Sequence, residues 1–120
     1  MYDRIQGEIG VKALVDKLYW LIVADPELSH FFLNVNMTSL KLHMTQFISQ
    51  LLGGPIQYEG KDLGEAHMGL GITERHFRRV GHLLTASMLI LDIPIDIRIE
   101  VHRSVESLGD SWLATGVITS

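Results

Sequence analysis

Gly53-Gly54-Pro55 ends one helical pattern, and the next does not begin until Thr73. Glycine permits the left-handed geometry that closes a helix, and proline cannot continue one, so the stop is unambiguous. A connection of about twenty residues is long for a compact domain and usually serves a function. This crossover carries a histidine, His67, close to Gly69 and Gly71 and just before a helical apolar run. A histidine on so short and interrupted a segment can be aimed at one point.

On either side of the crossover the apolar positions recur with helical period. Leu14, Leu18 and Ile22 align on a helix expected over Val11 to Ala24, after which Asp25-Pro26 and a short turn lead to Phe31-Phe32. Asn36 or Thr38 can cap a second helix carrying Leu40, Met44, Phe47, Ile48 and Leu51. Thr73 can cap a third carrying Phe77, Val80, Leu84 and Leu91, ended by Asp92 and Pro94. The brief alternation Ile93 to Ile99 leaves strand and helix open, but Ile97, Val101, Val105, Leu108 and Trp112 continue at three- and four-residue steps. A final helix is therefore expected from about Pro94 to Leu113, started by proline. Residues 115–120 are expected to fray. The fold class is all-α, with four substantial helices.

At 120 residues the chain is read as one domain, 1–120, with room for one core. A net charge of −4 and a pI near 5.8 argue against nucleic acid, which requires a basic stripe larger than Arg78-Arg79. No apolar run is long enough for membrane insertion, and the polar start Met1 to Gly7 lacks the pattern of a secretory signal. The absence of cysteine excludes disulfides and thiolate metal sites and fits a reducing, cytoplasmic setting.

No HExxH or paired-carboxylate motif occurs. On residue type alone, the commoner reading of His67 is a loop histidine satisfied by backbone groups. The alternative is a ligand to an iron-bearing cofactor, since imidazole suits iron and is the usual proximal ligand of oxygen-binding haem.

The chain resembles the truncated haemoglobins end to end, group I most closely. The resemblance rests on Tyr2-Asp3-Arg4-Ile5, Tyr19, Ala24-Asp25-Pro26, Phe31-Phe32, Leu52-Gly53-Gly54-Pro55, Tyr58-Glu59-Gly60, Glu65-Ala66-His67, Gly71-Ile72-Thr73 and His76-Phe77. Gly-Gly-Pro with the later Ala-His and His-Phe is its most specific part. One departure is Gln6-Gly7, where a double glycine is common in the family.

The resemblance implies a globin-like two-over-two helical sandwich with a shortened proximal helix, haem b as cofactor, and His67 as proximal iron ligand. It places Tyr19 facing the iron, where a phenol gives bound oxygen a hydrogen bond, and Phe32 as the wedge against the haem. Read from the residues alone, both are ordinary core aromatics. Met37 is expected at the haem edge, though methionine is also a gap-filler.

Leu40, His43, Met44 and Phe47 share one side of the second helix and are expected to contact the cofactor. Many group I members carry glutamine at the place of Met44, and a thioether cannot donate the hydrogen bond that an amide can. Tyr19 then works alone or with His43. For His43 three readings stand: a solvated helix histidine, a sixth iron ligand, and a contact to a haem propionate. His76 is expected near a propionate, with Phe77 and Val80 packed on the haem face. Absence of tryptophan at Val80 speaks against group II.

The function this implies is reversible binding of dioxygen and other diatomic ligands, NO and CO among them. The enzymatic alternative is dioxygenation of nitric oxide, which needs a reductase partner. A third reading is a haem-free helical interaction module whose methionine and aromatic stripes are core.

Overall fold

The computed structural model describes residues 2–54 and 71–119, and the fold is all-α. Helix α1 spans Gly7–Ala24, α2 Met37–Leu51, α3 Glu74–Ile90 and α4 Ile95–Thr115, with short 3₁₀ turns at Asp3–Ile5 and Ser29–Phe32. The first helix begins four residues before Val11, because Gly7 and Gly10 hold its first turn against the opening 3₁₀ turn. A Cβ at Gly10 would stand 1.6 Å from the Ile5 carbonyl oxygen, so no larger residue fits there.

Helix α1 buries Val11, Leu14, Val15, Leu18, Tyr19 and Ile22. It packs on both α2 and α3, while α4 lies against α3 and touches α2. The result is the expected sandwich, one helix pair across another. Of α4, Ile97, Val101 and Trp112 turn inward and are buried, which settles the alternating Ile93–Ile99 stretch as a helix start. A fully buried aliphatic side chain contributes about 1.5–3 kcal/mol, so the α1 face alone is a large part of what holds the sandwich.

The helix ends follow the expected chemistry. Asn36, and not Thr38, caps α2 by accepting from the Ser39 amide at 3.1 Å. Helix α2 closes at Leu51, with Gly53 at φ 85° just beyond it. Thr73 caps α3, and Pro94 precedes α4 in an extended conformation.

Residues 115–119 do not fray. Val117 and Ile118 are buried, the Thr119 amide donates to the Ile72 carbonyl at 3.1 Å, and the Glu74 amide donates to the Thr119 carbonyl at 2.6 Å. This parallel bridge between Thr73 and Thr119 ties the end of the chain to the start of α3. The sequence expectation failed because Gly116, at φ 82°, turns the chain back and lets two apolar residues reach the core.

Candidate functional site

Six of the side chains singled out in the sequence line one interior cavity: Tyr19 from α1, Phe32 from the second 3₁₀ turn, Met44 and Phe47 from α2, and Phe77 and Val80 from α3. The cavity volume is about 50 Å³, room for a water-sized or diatomic molecule, since a water's share of the liquid is about 30 Å³. The walls are almost wholly apolar. Among the described residues that line it, the Tyr19 phenol is the only side-chain oxygen.

Tyr19 is 2% exposed, and burial raises its pKa above the ordinary 10.0. The charged phenolate is disfavoured away from water. At neutral pH the ring therefore carries its proton and can donate. The Phe32 ring meets it edge-on, with centroids 6.2 Å apart and planes at 81°, a favoured arrangement of two aromatic quadrupoles.

The other sequence candidates among the described residues do not line this cavity. Leu40 is buried in α2, and Met37, at the start of that helix, is half-buried against the core. His43 is half-buried, with its Nδ1 shielded from solvent. His76 completes the cap of α3: its Nδ1 accepts from the Thr73 amide at 3.2 Å and lies 2.9 Å from the Thr73 hydroxyl. An accepting Nδ1 leaves the ring proton on Nε2. The Phe31 ring stands edge-on to it at 4.7 Å. His67 lies outside the described residues, as do the Tyr58-Glu59-Gly60 and Glu65-Ala66-His67 motifs.

Sequence reasoning missed half of the cavity wall. Leu18, Ile22, Ile72, Leu84, Val105, Leu108 and Trp112 also line it. For all but Ile72, which precedes the Thr73 cap, the signal was present as helical periodicity, but periodicity separates core from surface and does not separate core from cavity.

A profile described as bacterial-like globin matches residues 1–109. The chain belongs to this globin family. Among curated proteins, this globin is 34% identical over 116 residues to the group 1 truncated hemoglobin GlbN of Mycolicibacterium paratuberculosis, a match covering 97% of this chain and 85% of that one. It is 33% identical over 106 residues to the group 1 truncated hemoglobin of Tetrahymena pyriformis, covering 88% of each. Among solved structures it superposes on the Fe(III) form of the latter with a TM-score of 0.78 at 29% identity, covering 99% of this chain and 97% of that one. The 2/2 hemoglobin of Synechococcus sp. PCC 7002, solved in the cyanomet state with covalently attached heme, aligns with a TM-score of 0.74 at 28% identity, over 88% and 89% of the two chains. The chain is a truncated haemoglobin, and membership of the family implies haem and a diatomic ligand.

The residues present fit the ligand side of a haem. The cavity offers an apolar bed with one protonated phenol, the chemistry that a small, weakly polar ligand requires. Among the described residues no helix is long and apolar enough to cross a membrane, and no group of three or more His, Cys, Asp or Glu could hold a metal ion by itself.

Proposed function

We propose that this truncated haemoglobin holds haem b through His67 and reversibly binds dioxygen, with NO and CO as further ligands, in the cavity beneath Tyr19. The observation that carries this reading is a buried, protonated phenol as the one side-chain oxygen among the described residues of an apolar, diatomic-sized cavity. Haem iron supplies the site at which the ligand coordinates. The chain's own residues do the rest. Tyr19 donates a hydrogen bond into the cavity, Phe32 fixes the Tyr19 ring, and Met44, Phe47, Phe77 and Val80 exclude water. Leu40 and Met37 back the cofactor on the α2 side. Met44 offers no donor, so Tyr19 carries the polar stabilisation alone unless His43 turns inward. His76, with its proton on Nε2, is a donor for a propionate. His43 is the candidate sixth ligand of the unliganded form.

Titration with haem tests the assignment. One equivalent, with a sharp Soret band altered or lost in His67→Gly, supports it, and an unchanged spectrum in that variant removes His67 as the iron ligand. Ferric and ferrous spectra decide His43: low-spin six-coordinate bands that vanish in His43→Ala establish ligation, and high-spin bands in the parent protein exclude it. Absence of any Soret band on titration leaves the haem-free interaction module.

Dioxygenation of nitric oxide would use the same cavity with a reductase partner, in a cytoplasmic setting. Mixing the oxygenated protein with NO and cell extract separates the two. Nitrate formed once per haem, without turnover, leaves a binding protein, and sustained turnover makes it an enzyme.

A further inference from the structure

Aliphatic side chains stand bare around the α3–α4 turn. Ile9 in the first turn of α1 is 73% exposed, and Ile95 and Ile99, one turn apart at the start of α4, are 64% and 49% exposed. Leu89 and Ile90, in the last turn of α3, each leave more than half of their surface open. Between the two helix starts runs a groove of about 330 Å³, lined by Ile9 and Ala13 from α1 and by Leu91, Ile93 and Pro94 from the turn. Arg4, which also lines it, donates to Asp96 of α4 at 3.1 Å and so holds the start of that helix beside the groove. Among the described residues, none that lines the groove lines the buried cavity.

We infer that this face joins two copies of the chain about a two-fold axis. Area is the first reason to choose a second copy. Five aliphatic side chains exposed by half or so supply on the order of 500 Å² of apolar surface, the apolar share of the roughly 800 Å² that each partner of a stable dimer buries. Charge is the second reason. The face is bordered by the Arg4–Asp96 pair and, beside Ile9, by Lys12 and Glu8 at 3.2 Å. A two-fold axis sets such a border against its own image in reverse order, so each charge can meet one of opposite sign. A partner of a single sign would meet a like charge in both pairs, and an anionic lipid surface finds no basic cluster here. Ile95 and Ile99 form a ridge next to the groove, and the ridge of each copy fits the groove of the other.

Sedimentation velocity of the haem-loaded protein tests the interface. The mass is expected to rise with concentration from 13.5 kDa toward twice that value, with a midpoint on the order of 10 µM. Ile9→Glu and Ile95→Glu each place a carboxylate in the first turn of a helix, where the helix dipole favours it, so both variants are expected to fold. Each is expected to weaken association by about tenfold or more, because the face then buries an unpaired charge. Trp20→Ser removes a similarly exposed side chain that does not line the groove, and is expected to leave the midpoint where it was. A parent protein that stays at 13.5 kDa at every concentration overturns the proposal, whether or not it binds lipid vesicles or another protein. A dimer that survives both glutamate substitutions but falls apart in Trp20→Ser overturns it too, by placing the contact on another face.

Discussion

Arg79 in the middle of α3 donates from Nε to Asp25 Oδ2 at 2.5 Å, joining that helix to the end of α1. The Asp25 side chain is 5% exposed, and its other oxygen accepts from the Glu27 amide at 2.9 Å. The Asp25 backbone amide closes α1 on the Ile22 carbonyl, while its carboxylate braces the turn that follows and ties it to α3. The Arg79 hydrogen bond holds its pKa below the ordinary 3.8. A carboxyl whose folded pKa is depressed adds stability that is fully present above its unfolded value and is lost as pH falls through the folded one.

Asp25→Asn is therefore expected to destabilise the protein at pH 7, by roughly 1–3 kcal/mol for a charge-assisted hydrogen bond. The difference from the parent protein should shrink as pH drops below about 4. Thermal melts of both proteins from pH 7 to pH 2.5 check this. A difference that stays constant across the range would mean that the ionised carboxylate is not what Asn lacks and that the charge contributes nothing.

Tyr19→Phe leaves the apolar wall intact and removes the cavity's phenol. One hydrogen bond to a polarised ligand corresponds to about 1–1.5 kcal/mol, so the oxygen dissociation rate of the haem-loaded protein is expected to rise on the order of tenfold. Stopped-flow displacement of oxygen by CO measures it. An unchanged rate would place the donor elsewhere, with His43 the next residue to vary.

The four helices were legible because each is a long amphipathic run with a recognisable stop. Asn36, Thr73, Gly53 and Pro94 all act at the positions where capping chemistry puts them. Half of the cavity was legible for a different reason: Tyr19, Phe32, Met44, Phe47, Phe77 and Val80 were picked out by resemblance, and they do converge. What the sequence concealed was long-range. Nothing local to Val117 and Ile118 announces that they return to the core, and nothing in Gly109 announces that the Phe77 ring lies on it. His76 was read as a cofactor contact when its Nδ1 also serves as the return half of the α3 cap, a use that its spacing of three from Thr73 does encode.

Gln6 occupies a left-handed conformation, φ 68° and ψ 33°, at the departure from the family's double glycine. A residue with a Cβ pays roughly 1–2 kcal/mol to sit there, partly offset by the lower entropy of its unfolded chain. Gln6→Gly is expected to raise stability by about 0.5–1 kcal/mol, read as a shift in the urea midpoint with an unchanged slope. A lower midpoint would show that the Gln6 side chain contributes more than its backbone costs.

Deleting residues 117–120 removes two buried aliphatic side chains and the bridge that holds Ile72 and Thr73 at the start of α3. Burial of Val117 and Ile118 accounts for about 3–5 kcal/mol. The truncated chain should melt well below the parent and, because Ile72 lines the cavity, bind haem less tightly. The two effects have different signatures. If the segment acts only as a fastener, adding excess haem restores much of the melting temperature through mass action, and the ligand dissociation rate set by Tyr19 is unchanged. If that rate also rises, the carboxyl-terminal segment helps to shape the cavity, and the α3 cap is the route by which it does so.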